Sequence, residues 1–465
     1  MLPDTIAAIA TPLGGEGGIG VVRISGPDSL KIIRSIFKPS SSPKASAPLA
    51  QKEPLVSHKL YHGWILDRSR EIDQVVVSYM ANPRSYTGED VIEISCHGGG
   101  TVLKHVLELV VRAGARLAVR GEFTKRAFLN GKLDLAQAEA VIDLIKAKTR
   151  EGSLLAASQM KGSLSSRIRE IRGDLMGLLA EIEASIDFPD EVPDIDTKKA
   201  GKTLKSAINT INKLIDTAEL GKIYREGVSI AIVGKPNVGK SSLLNALIRE
   251  ERAIVTDEPG TTRDIVEETL NIKGIPARVL DTAGIRHSRS KTEKLGIDRA
   301  LKAIDAADMV LLLVDISQAL TREDLDLIAR TKDNKRMIVL NKADLPHRLK
   351  PKEVSLKAAG AQTVEVSALN GSGVGKLERA IFDTVGSNKV VAENPEVMVN
   401  LRQKESLIRA KECLQRCLGS AEKRMQADFV SIDLKAAIAA LGEVTGEIVS
   451  EEVIDRIFEE FCVGK

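Results

Sequence analysis

Aromatic residues make up only 3% of the 465 residues of this chain. Proteins that stack RNA bases on aromatic rings need more of them, so we do not expect such a surface. No apolar run reaches about 18 residues, the length that could span a membrane. The first residues, MLPDTIAAIATPLGG, lack the basic and apolar segments of a signal peptide. These absences predict a cytoplasmic protein with no membrane partner.

Cysteine and net charge are also low. The four cysteines, Cys96, Cys413, Cys417 and Cys462, are scattered through the chain, unlike those of a disulfide-stabilised secreted domain. Cys413 and Cys417 lie one helical turn apart with no histidine beside them, so they are predicted to pack in the core. The net charge of +3 is too small to indicate nucleic-acid binding by itself, and it does not oppose a partner such as tRNA. A chain of 465 residues is too long for one hydrophobic core, so we expect about three domains.

The residue pattern changes along the chain. Residues 1–121 contain short β-rich runs such as VVRIS and VIEIS, which predict an N-terminal α+β domain. Residues 122–221 and 387–465 have helical periodicity and are predicted to form two parts of one all-α domain. In the first part, one apolar stripe is predicted to hold Leu135, Ala138, Ile142 and Ile145. Between them, residues 222–386 alternate helices with apolar runs, TVEVSA among them, that are predicted to be strands buried on both faces. This predicts an inserted domain with a parallel sheet flanked by helices. The expected fold class is multidomain α/β.

A phosphate-binding loop is the most specific motif in the chain. Residues 234–241 read GKPNVGKS, follow a predicted strand and open a predicted helix, which is the context that this motif requires. Backbone N–H groups of such a loop face the phosphates of a nucleotide. We expect Lys240 to neutralise the β- and γ-phosphates and Ser241 to bind Mg²⁺.

Three further motifs follow predicted strands. DTAG at residues 281–284 would meet Mg²⁺ and the γ-phosphate. NKAD at residues 341–344 places Asp344 to accept two hydrogen bonds from guanine, whereas adenine would leave this carboxylate unpaired. SAL at residues 367–369 would support the base. Together the motifs predict that the chain binds GTP and rejects ATP.

The segment TDEPGTTRD, residues 256–264, has the polar composition of a switch loop, and Thr262 is the candidate for a second Mg²⁺ contact. Ras-type enzymes carry a water-orienting glutamine just after the DxxG motif. Ile285 occupies that position, so catalytic help must come from elsewhere. No arginine finger can be assigned from the sequence: Arg263 and Arg286 are candidates, but each fits a surface or switch arginine better. The residues predicted to contact GTP are Asn237, Val238, Gly239, Lys240, Ser241, Ser242, Thr256, Asp257, Glu258, Pro259, Gly260, Thr261, Thr262, Asp281, Thr282, Ala283, Gly284, Asn341, Lys342, Ala343, Asp344, Ser367, Ala368 and Leu369.

Several long segments are specific enough to compare with a known family. They are ATPLGGEGGIGVVRISG, SYTGEDVIEISCHGGG, GEFTKRAFLNGKLDLAQAEAVIDLI, SIDFPDE, GKPNVGKSSLLNAL, TTRD, DTAGIR and the terminal FCVGK. From end to end the chain resembles the MnmE (TrmE) family of tRNA modification GTPases. The resemblance implies a folate-binding and dimer-forming N-terminal domain, a helical domain and an inserted Ras-like G domain.

The resemblance also implies a reaction. The family acts as a homodimer with the flavoprotein MnmG, in a heterotetramer, on the wobble uridine of tRNA. The products are 5-carboxymethylaminomethyl uridine or 5-aminomethyl uridine, and GTP hydrolysis is coupled to their formation. One carbon comes from a tetrahydrofolate derivative, either 5-formyl or 5,10-methylene, and FAD enters only through the partner.

For the G domain, the resemblance implies activation by dimerisation across a K⁺ ion. The K⁺ ligands correspond to Asn237, Thr256, Glu258 through its carbonyl, and Thr261. The carboxylate that positions water corresponds to Glu293. A K⁺ ion and a more distant acid would thus replace the missing glutamine.

The folate contacts that the resemblance implies are Arg23, Glu93, Lys132 and Lys465. A carboxylate can bind the paired N–H donors of a pterin, and cations suit the glutamate tail of a folate. By residue type alone, Arg23 and Lys132 would be interpreted as surface charges. Cys462 would lie near the one-carbon chemistry, which makes its thiol a candidate catalytic group.

Two other functions are compatible with a G domain. A GTP-switched ribosome-assembly or RNA-binding factor would carry an added module rich in Lys, Arg or aromatic residues, and the sequence has none. A membrane-attached GTPase would need a prenylation box, but CVGK ends in Lys465 and follows the acidic EEVIDRIFEEF. His97 in HGGG is a candidate functional residue without an assigned chemistry, because no G-x-S-x-G motif accompanies it.

Overall fold

The structure is a computed structural model. It describes residues 4–12, 17–40, 55–190, 196–250, 268–280, 302–386, 397–423 and 427–465. The described chain forms two compact units, one holding the residues up to Ile142 and those from Ala439 onward, the other holding Asp143 to Ile438. The predicted domain boundaries at 121, 221 and 386 stay predictions.

The strands are numbered in chain order. They are β1 (Ile6–Ile9), β2 (Ile19–Ser25), β3 (Phe37–Pro39), β4 (Lys59–Asp67), β5 (Arg70–Met80), β6 (Val91–His97), β7 (Arg116–Leu117), β8 (Val228–Val233), β9 (Glu268–Ile272), β10 (Ile275–Leu280), β11 (Met309–Asp315), β12 (Arg336–Asn341) and β13 (Thr363–Glu365).

The helices are numbered in the same way, as far as their bounds lie within the described residues. They are α1 (Ser29–Ile36), α2 (Gly100–Arg112), α3 (Glu122–Leu129), α4 (Leu135–Lys146), α5 (Arg150–Met160), α6 (Ser163–Asp187), α7 (Thr197–Glu226), α8 (Lys240–Glu250), α9 (Arg322–Arg330), α10 (Pro351–Lys357), α11 (Val374–Val385), α12 (Leu401–Glu422), α13 (Ala427–Thr445) and α14 (Glu451–Glu459).

The first unit is built on a seven-stranded sheet with the order β3-β4-β5-β6-β2-β1-β7. Side chains alternate between its faces, so Ile92 and Ile94 of β6 join the core with α1 and α2, while Glu93 lies on the opposite face. On the neighbouring strand β2, Arg23 is in register with Glu93. The predicted strands VVRIS and VIEIS are therefore confirmed, and their charged residues share one face.

The end of the chain belongs to the same unit. Phe458 of α14 is buried, with its ring centroid 6.4 Å from that of Phe128 in α3 and 5.2 Å from that of Phe461. Val463 then forms an isolated β-bridge with Arg120. The last residues are thus held against the start of α3, because apolar rings anchor the helix that precedes them.

The second unit contains a six-stranded sheet with the order β13-β12-β11-β8-β10-β9. Neighbouring strands are parallel, except that β9 is antiparallel to β10. Strands β8 and β11 are buried at every residue, as their continuous apolar runs predict. Because parallel strands end at the same edge, the segments after β8, β11 and β12 lie side by side. The predicted fold class, with an α+β N-terminal part, helices and a parallel P-loop sheet, is confirmed.

Two details of the predicted packing are wrong. The run TVEVSA predicts a strand buried on both faces, but Val364 is half-buried and Glu365 is exposed, because β13 is the edge strand of its sheet. Ile145 is predicted on the buried stripe of α4, but it is 47% exposed because it lies one residue before the helix ends. Among the residues described, no helix is both long and apolar enough to span a bilayer.

Candidate functional sites

The phosphate-binding loop connects β8 to α8, as predicted. Gly239 adopts a φ of +98°, and a Cβ atom there would lie 2.3 Å from Nδ2 of Asn341. Only glycine therefore allows the asparagine of the NKAD motif to approach the loop this closely. The structure thus brings the phosphate loop into contact with the NKAD motif, although Val238 and Asn341 are 103 residues apart in the chain.

Asn341 joins three nucleotide motifs. Its side chain is buried, its Nδ2 donates to the carbonyl of Val238 at 2.7 Å, and its Oδ1 accepts from the backbone N–H of Ala368 at 3.0 Å. The phosphate loop, the NKAD motif and the SAL motif are thus tied together by one amide group. One N–H of Nδ2 and one lone pair of Oδ1 are engaged within the protein, so Asn341 orders the site, and its contact with GTP stays a prediction.

Lys240 opens α8, and its Nζ donates to the carbonyls of Gly234 at 2.7 Å and Lys235 at 3.0 Å. Burial lowers the pKa of its ammonium group below the ordinary lysine value. A partly desolvated cation in this position attracts phosphate more strongly than one in water. Ser241 and Ser242 follow on the first turn of α8 and are exposed.

The base-binding end of the site contains the predicted carboxylate. Asp344 is exposed, and its Oδ1 accepts from Oγ of Ser367 at 2.5 Å. Ser367 is itself buried and holds the carboxylate in one orientation. Ala343 donates its N–H to the carbonyl of Val366 at 3.1 Å, which fixes the loop between them. Leu369 is 83% exposed and lies at the surface beside this end of the site.

Several predicted site residues lie outside the described residues, so their placement stays a prediction. They are Thr256, Asp257, Glu258, Pro259, Gly260, Thr261, Thr262, Asp281, Thr282, Ala283, Gly284 and Glu293. The candidate arginines, Arg263 and Arg286, lie outside the described residues as well.

A second polar cluster lies in the first unit, around Arg23. Its guanidinium meets Oε1 of Glu93 at 2.8 Å from both Nε and one Nη, and its other Nη donates to the carbonyl of Gly464 at 3.2 Å. The Arg23 Cζ atom also lies 5.7 Å from the ring centroid of Tyr86 and 5.6 Å from that of Phe123. The arrangement is a cation that pairs with a carboxylate and lies near two aromatic rings, beside the end of the chain.

The terminal residues complete this cluster. Burial, and then the nearby Arg23 guanidinium, lower the pKa of Lys465 below its ordinary value. The carbonyl of Cys462 accepts from the N–H groups of Gly121 and Lys465, each at 3.4 Å, while its side chain is exposed. The structure thus brings together Arg23, Glu93 and Lys465, three of the four residues implied as folate contacts, and leaves the Cys462 thiol accessible.

Lys132, the fourth residue, has a different environment. It is exposed, and its Nζ donates to the carbonyl of Pro83 at 3.1 Å. Its stem also passes Gly88, where a Cβ atom would lie 3.3 Å from Cγ of Lys132. Its role in folate binding stays a prediction.

Gly464 lets the tail pass close to strand β1. Its φ is +94°, and a Cβ atom there would lie 2.4 Å from the carbonyl oxygen of Ile9. We expect Gly464→Ala to displace the tail and to speed the removal of Lys465 by carboxypeptidase B about tenfold, because the strain favours local opening. Gly114→Ala is the matched control, since Gly114 has a φ of +118° but open space around its Cβ position. Equal release of lysine from both variants would contradict this account.

Some residues of these sites were not predicted from the sequence. Tyr86, Phe123 and Gly464 contact Arg23, but neither spacing nor residue type connects them with it. His97 also gains a partner, because buried Asp73 accepts from its backbone N–H at 2.8 Å and lies 2.5 Å from its Nδ1. The spacing of 24 residues between these two positions carries no sequence signal.

The cysteines that the pattern predicts to pack in the core differ from each other. Cys417 is fully buried, and burial raises the pKa of its thiol to about 12. Cys413 is only half-buried, with its sulfur 3.1 Å from an Nη of Arg416. Within the described part of the chain, no three His, Cys, Asp or Glu side chains converge in a group that could hold a metal ion.

Comparison with known proteins matches nearly the whole chain to two family models. Residues 5–132 match the N-terminus of the GTP-binding protein TrmE, and residues 135–462 match the MnmE helical domain. A tRNA modification GTPase MnmE from Thermoanaerobacter sp. (strain X514) is 46% identical over 468 residues, covering 100% of both chains. The chain belongs to the MnmE family of tRNA modification GTPases. The resemblance stated from the sequence motifs is therefore confirmed.

A second relative agrees with membership of the MnmE family. The MnmE of Alkaliphilus oremlandii (strain OhILAs) is 46% identical over 469 residues and covers 100% of both chains. The crystal structure of Era with MgGDPNP and a 16S ribosomal RNA fragment is 28% identical over 40% of this chain and 66% of Era. Its TM-score of 0.27 is too low for an argument about the fold. As an MnmE family member the chain is a GTPase, which confirms the predicted enzyme class.

Proposed function

We propose that this MnmE family member couples GTP hydrolysis to modification of the wobble uridine of tRNA, using a one-carbon unit from a tetrahydrofolate. The observation that carries the proposal is the presence of two polar sites in one chain. The loops around Asn341 have the composition of a guanine-nucleotide site. The cluster around Arg23 has a different chemistry and belongs to the other compact unit. The relatives named above are tRNA modification GTPases.

In the nucleotide site, the described residues suit GTP and Mg²⁺. Lys240 supplies a cation for the β- and γ-phosphates, and the Ser241 hydroxyl on the first turn of α8 is a hard oxygen ligand of the kind that Mg²⁺ prefers. Thr262 is the proposed second protein ligand. Asp344, oriented by Ser367, would accept both N–H donors of guanine.

We also propose that a K⁺ ion and Glu293 replace the catalytic glutamine. Of the proposed K⁺ ligands, Asn237 is the one within the described residues; it is exposed in the phosphate loop, and its φ of +62° is unusual for a residue other than glycine. Thr256, Thr261 and the carbonyl of Glu258 would complete the set. A bound K⁺ ion supplies positive charge near the γ-phosphate when two G domains meet, which an arginine finger does in other GTPases.

Replacing Na⁺ by K⁺ at constant ionic strength is expected to raise the GTP turnover about 10³-fold or more, the effect that an arginine finger has elsewhere. Glu293→Ala should bind GDP like the wild type but lose turnover, because it removes the carboxylate that positions water. Phosphate release measured in the two salts tests both statements. Equal rates in K⁺ and Na⁺ would remove the K⁺ ion from the mechanism, and full turnover by the variant would remove Glu293.

The cluster around Arg23 fits a folate by its chemistry. Glu93 is a carboxylate that could accept the paired N–H donors of a pterin, and Arg23 and Lys465 are cations for a carboxylate-bearing tail. Lys132 is the proposed fourth contact. When bound, the folate would supply the carbon that is added to uridine. The exposed Cys462 thiol is a candidate for a catalytic role beside it.

The proposed partners follow from the resemblance to the MnmE family. The chain would form a homodimer, bind the flavoprotein MnmG in a heterotetramer, obtain FAD chemistry only through that partner, and act on tRNA in the cytoplasm. The products would be 5-carboxymethylaminomethyl or 5-aminomethyl uridine.

Mass analysis of tRNA nucleosides from cells that lack this chain tests the proposal most directly. We expect both modified wobble uridines to disappear and to return when the wild-type gene is restored. A Lys240→Ala gene serves as the matched control. Its product lacks the lysine that is expected to bind the phosphates of GTP, so it should not restore the two modified uridines. Persistence of the modified uridines in the deleted strain would refute the proposed function.

A further inference from the structure

Two buried aspartates of the second unit lie outside every nucleotide-binding motif. Asp315 is the last residue of β11, and Asp324 lies on the first turn of α9; both side chains are 1% exposed. Strand β11 lies between β8, which leads into the phosphate loop, and β12, which leads into the NKAD motif. The segment 315–324 therefore leaves the sheet between the two loops that would hold a nucleotide. We call it the central segment.

Asp324 binds the phosphate loop. Its Oδ2 accepts from Nζ of Lys235 at 2.9 Å, and also from the backbone N–H and hydroxyl of Thr321 at 2.9 and 2.7 Å. Its Oδ1 is buried without a hydrogen-bond partner within the described residues. A buried carboxylate with one unsatisfied oxygen depends strongly on its single cation. Lys235 is only 12% exposed, so both members of the ion pair between Lys235 and Asp324 are largely shielded from water.

Lys235 is also linked to the phosphate lysine. Its carbonyl oxygen accepts from Nζ of Lys240 at 3.0 Å. Thus the backbone of Lys235 contacts the cation expected to bind phosphate, while its side chain is fixed to α9. A shift of Lys235 would move the loop that presents its N–H groups to the nucleotide.

Asp315 binds the base loop in a similar way. Its Oδ2 lies 2.7 Å from Nζ of Lys342, the lysine of NKAD, and it accepts from Nε2 of Gln318 at 3.1 Å. Its Oδ1 accepts from the N–H and hydroxyl of Ser317 at 3.0 and 2.6 Å. Burial alone would raise the pKa of Asp315, but the hydrogen bonds from Lys342 and Ser317 outweigh burial and hold the pKa below its usual value. In the sheet, Asp315 is in register with Asn341, one residue before Lys342.

We propose that Asp315 and Asp324 are positioning residues for guanine-nucleotide binding, which hold the base loop and the phosphate loop at a fixed separation through Lys342 and Lys235. Each aspartate acts through a lysine of a different loop, and both belong to the central segment. A loop that is ordered before binding loses less conformational entropy when the ligand arrives. The central segment thereby contributes to affinity although neither aspartate belongs to a recognised motif.

The test measures binding of Mg·GDP to the full-length protein by calorimetry, together with the thermal midpoint of each variant. Asp324→Asn and Asp315→Asn are each expected to weaken GDP binding about tenfold, as loss of a charged hydrogen bond does. The double variant should lose about a hundredfold, because the two residues act on separate loops and their effects should multiply. Lys235→Gln should weaken GDP binding as much as Asp324→Asn does. Lys235→Arg, which restores a cation beside Asp324, should bind GDP more tightly than Lys235→Gln.

Asp308→Asn is the matched control. Asp308 comes directly before β11, at the opposite end of that strand from Asp315. Its carboxylate accepts from the N–H and hydroxyl of Ser229 at 2.8 and 2.6 Å. This variant should lower the thermal midpoint without changing GDP affinity. The proposal is wrong if Asp315→Asn and Asp324→Asn behave like Asp308→Asn. If Asp324→Asn does not fold, the lysine variants decide, and equal affinities of Lys235→Arg and Lys235→Gln would overturn it.

The inference rests on guanine-nucleotide binding, which is part of the proposed function. The two fail in different ways. A wild-type protein that does not bind GDP would refute nucleotide binding itself. A wild-type protein that binds GDP, with unchanged affinity in the aspartate variants, would refute only the positioning role.

Discussion

Asp344→Asn is expected to lower the affinity for GTP about 10³-fold and to make XTP the preferred nucleotide. Guanine presents two N–H donors to the carboxylate of Asp344. An asparagine amide keeps one oxygen that can accept, but its NH₂ group would face the second N–H donor of guanine and cannot accept from it. Xanthine carries a carbonyl where guanine carries its amino group, so the amide can pair with it. Competition of XTP and GTP for the variant, measured by displacement of a fluorescent nucleotide, gives the ratio.

Ser367→Ala is the control for this prediction. It removes the hydroxyl that donates to Asp344 at 2.5 Å but leaves the carboxylate in place. We expect it to weaken GTP about tenfold, with GTP still preferred over XTP, because orientation is lost while the donor and acceptor pattern is kept. If Asp344→Asn kept the wild-type preference for GTP, the base would have to be read by other residues.

Arg23→Met is expected to lower the rate of tRNA uridine modification about 10²-fold, while GTP hydrolysis in K⁺ remains at the wild-type rate. Methionine keeps an unbranched apolar side chain near Tyr86 and Phe123 but removes the cation. Glu93 then loses its partner, and the Gly464 carbonyl loses a donor. The terminal residues would no longer be held beside the carboxylate that is proposed to bind the pterin.

Two measurements make this prediction specific. Calorimetry with 5-formyltetrahydrofolate should show weaker binding to Arg23→Met, and analysis of modified nucleosides should show the loss of product. Arg112→Met is the matched control, because Arg112 belongs to the same unit but is 61% exposed and pairs with Glu108 on the surface. Wild-type folate affinity in Arg23→Met would contradict the proposed folate site.

The GTP site could be predicted to a large extent from the sequence. The phosphate loop is a contiguous stretch, and its chemistry depends on backbone groups and on two side chains, Lys240 and Ser241, at fixed spacing. Each motif follows an apolar run that predicts a buried strand, and parallel strands present their ends at one edge. The meeting of the motifs at Asn341 therefore follows from the fold class.

The cluster around Arg23 could not be derived in this way. Its contact with Gly464 joins residues that are 441 positions apart, and its contact with Glu93 depends on the pairing of β2 with β6. A shift of one residue in that pairing would move Glu93 away from Arg23. Only the resemblance to a family pointed to these residues, and it did not point to Tyr86 or Phe123.

The sequence by itself determined the nucleotide chemistry of this protein, because that chemistry is encoded in short contiguous motifs whose local spacing is sufficient. It also determined the family, because the matching segments extend over the whole chain. The tertiary structure decided what holds those motifs in place. Asp315 and Asp324 have no recognisable context in the sequence, and they gain their lysine partners only because β11 lies between β8 and β12 in the sheet. Strand order is a long-range property, and so are the ion pairs that depend on it.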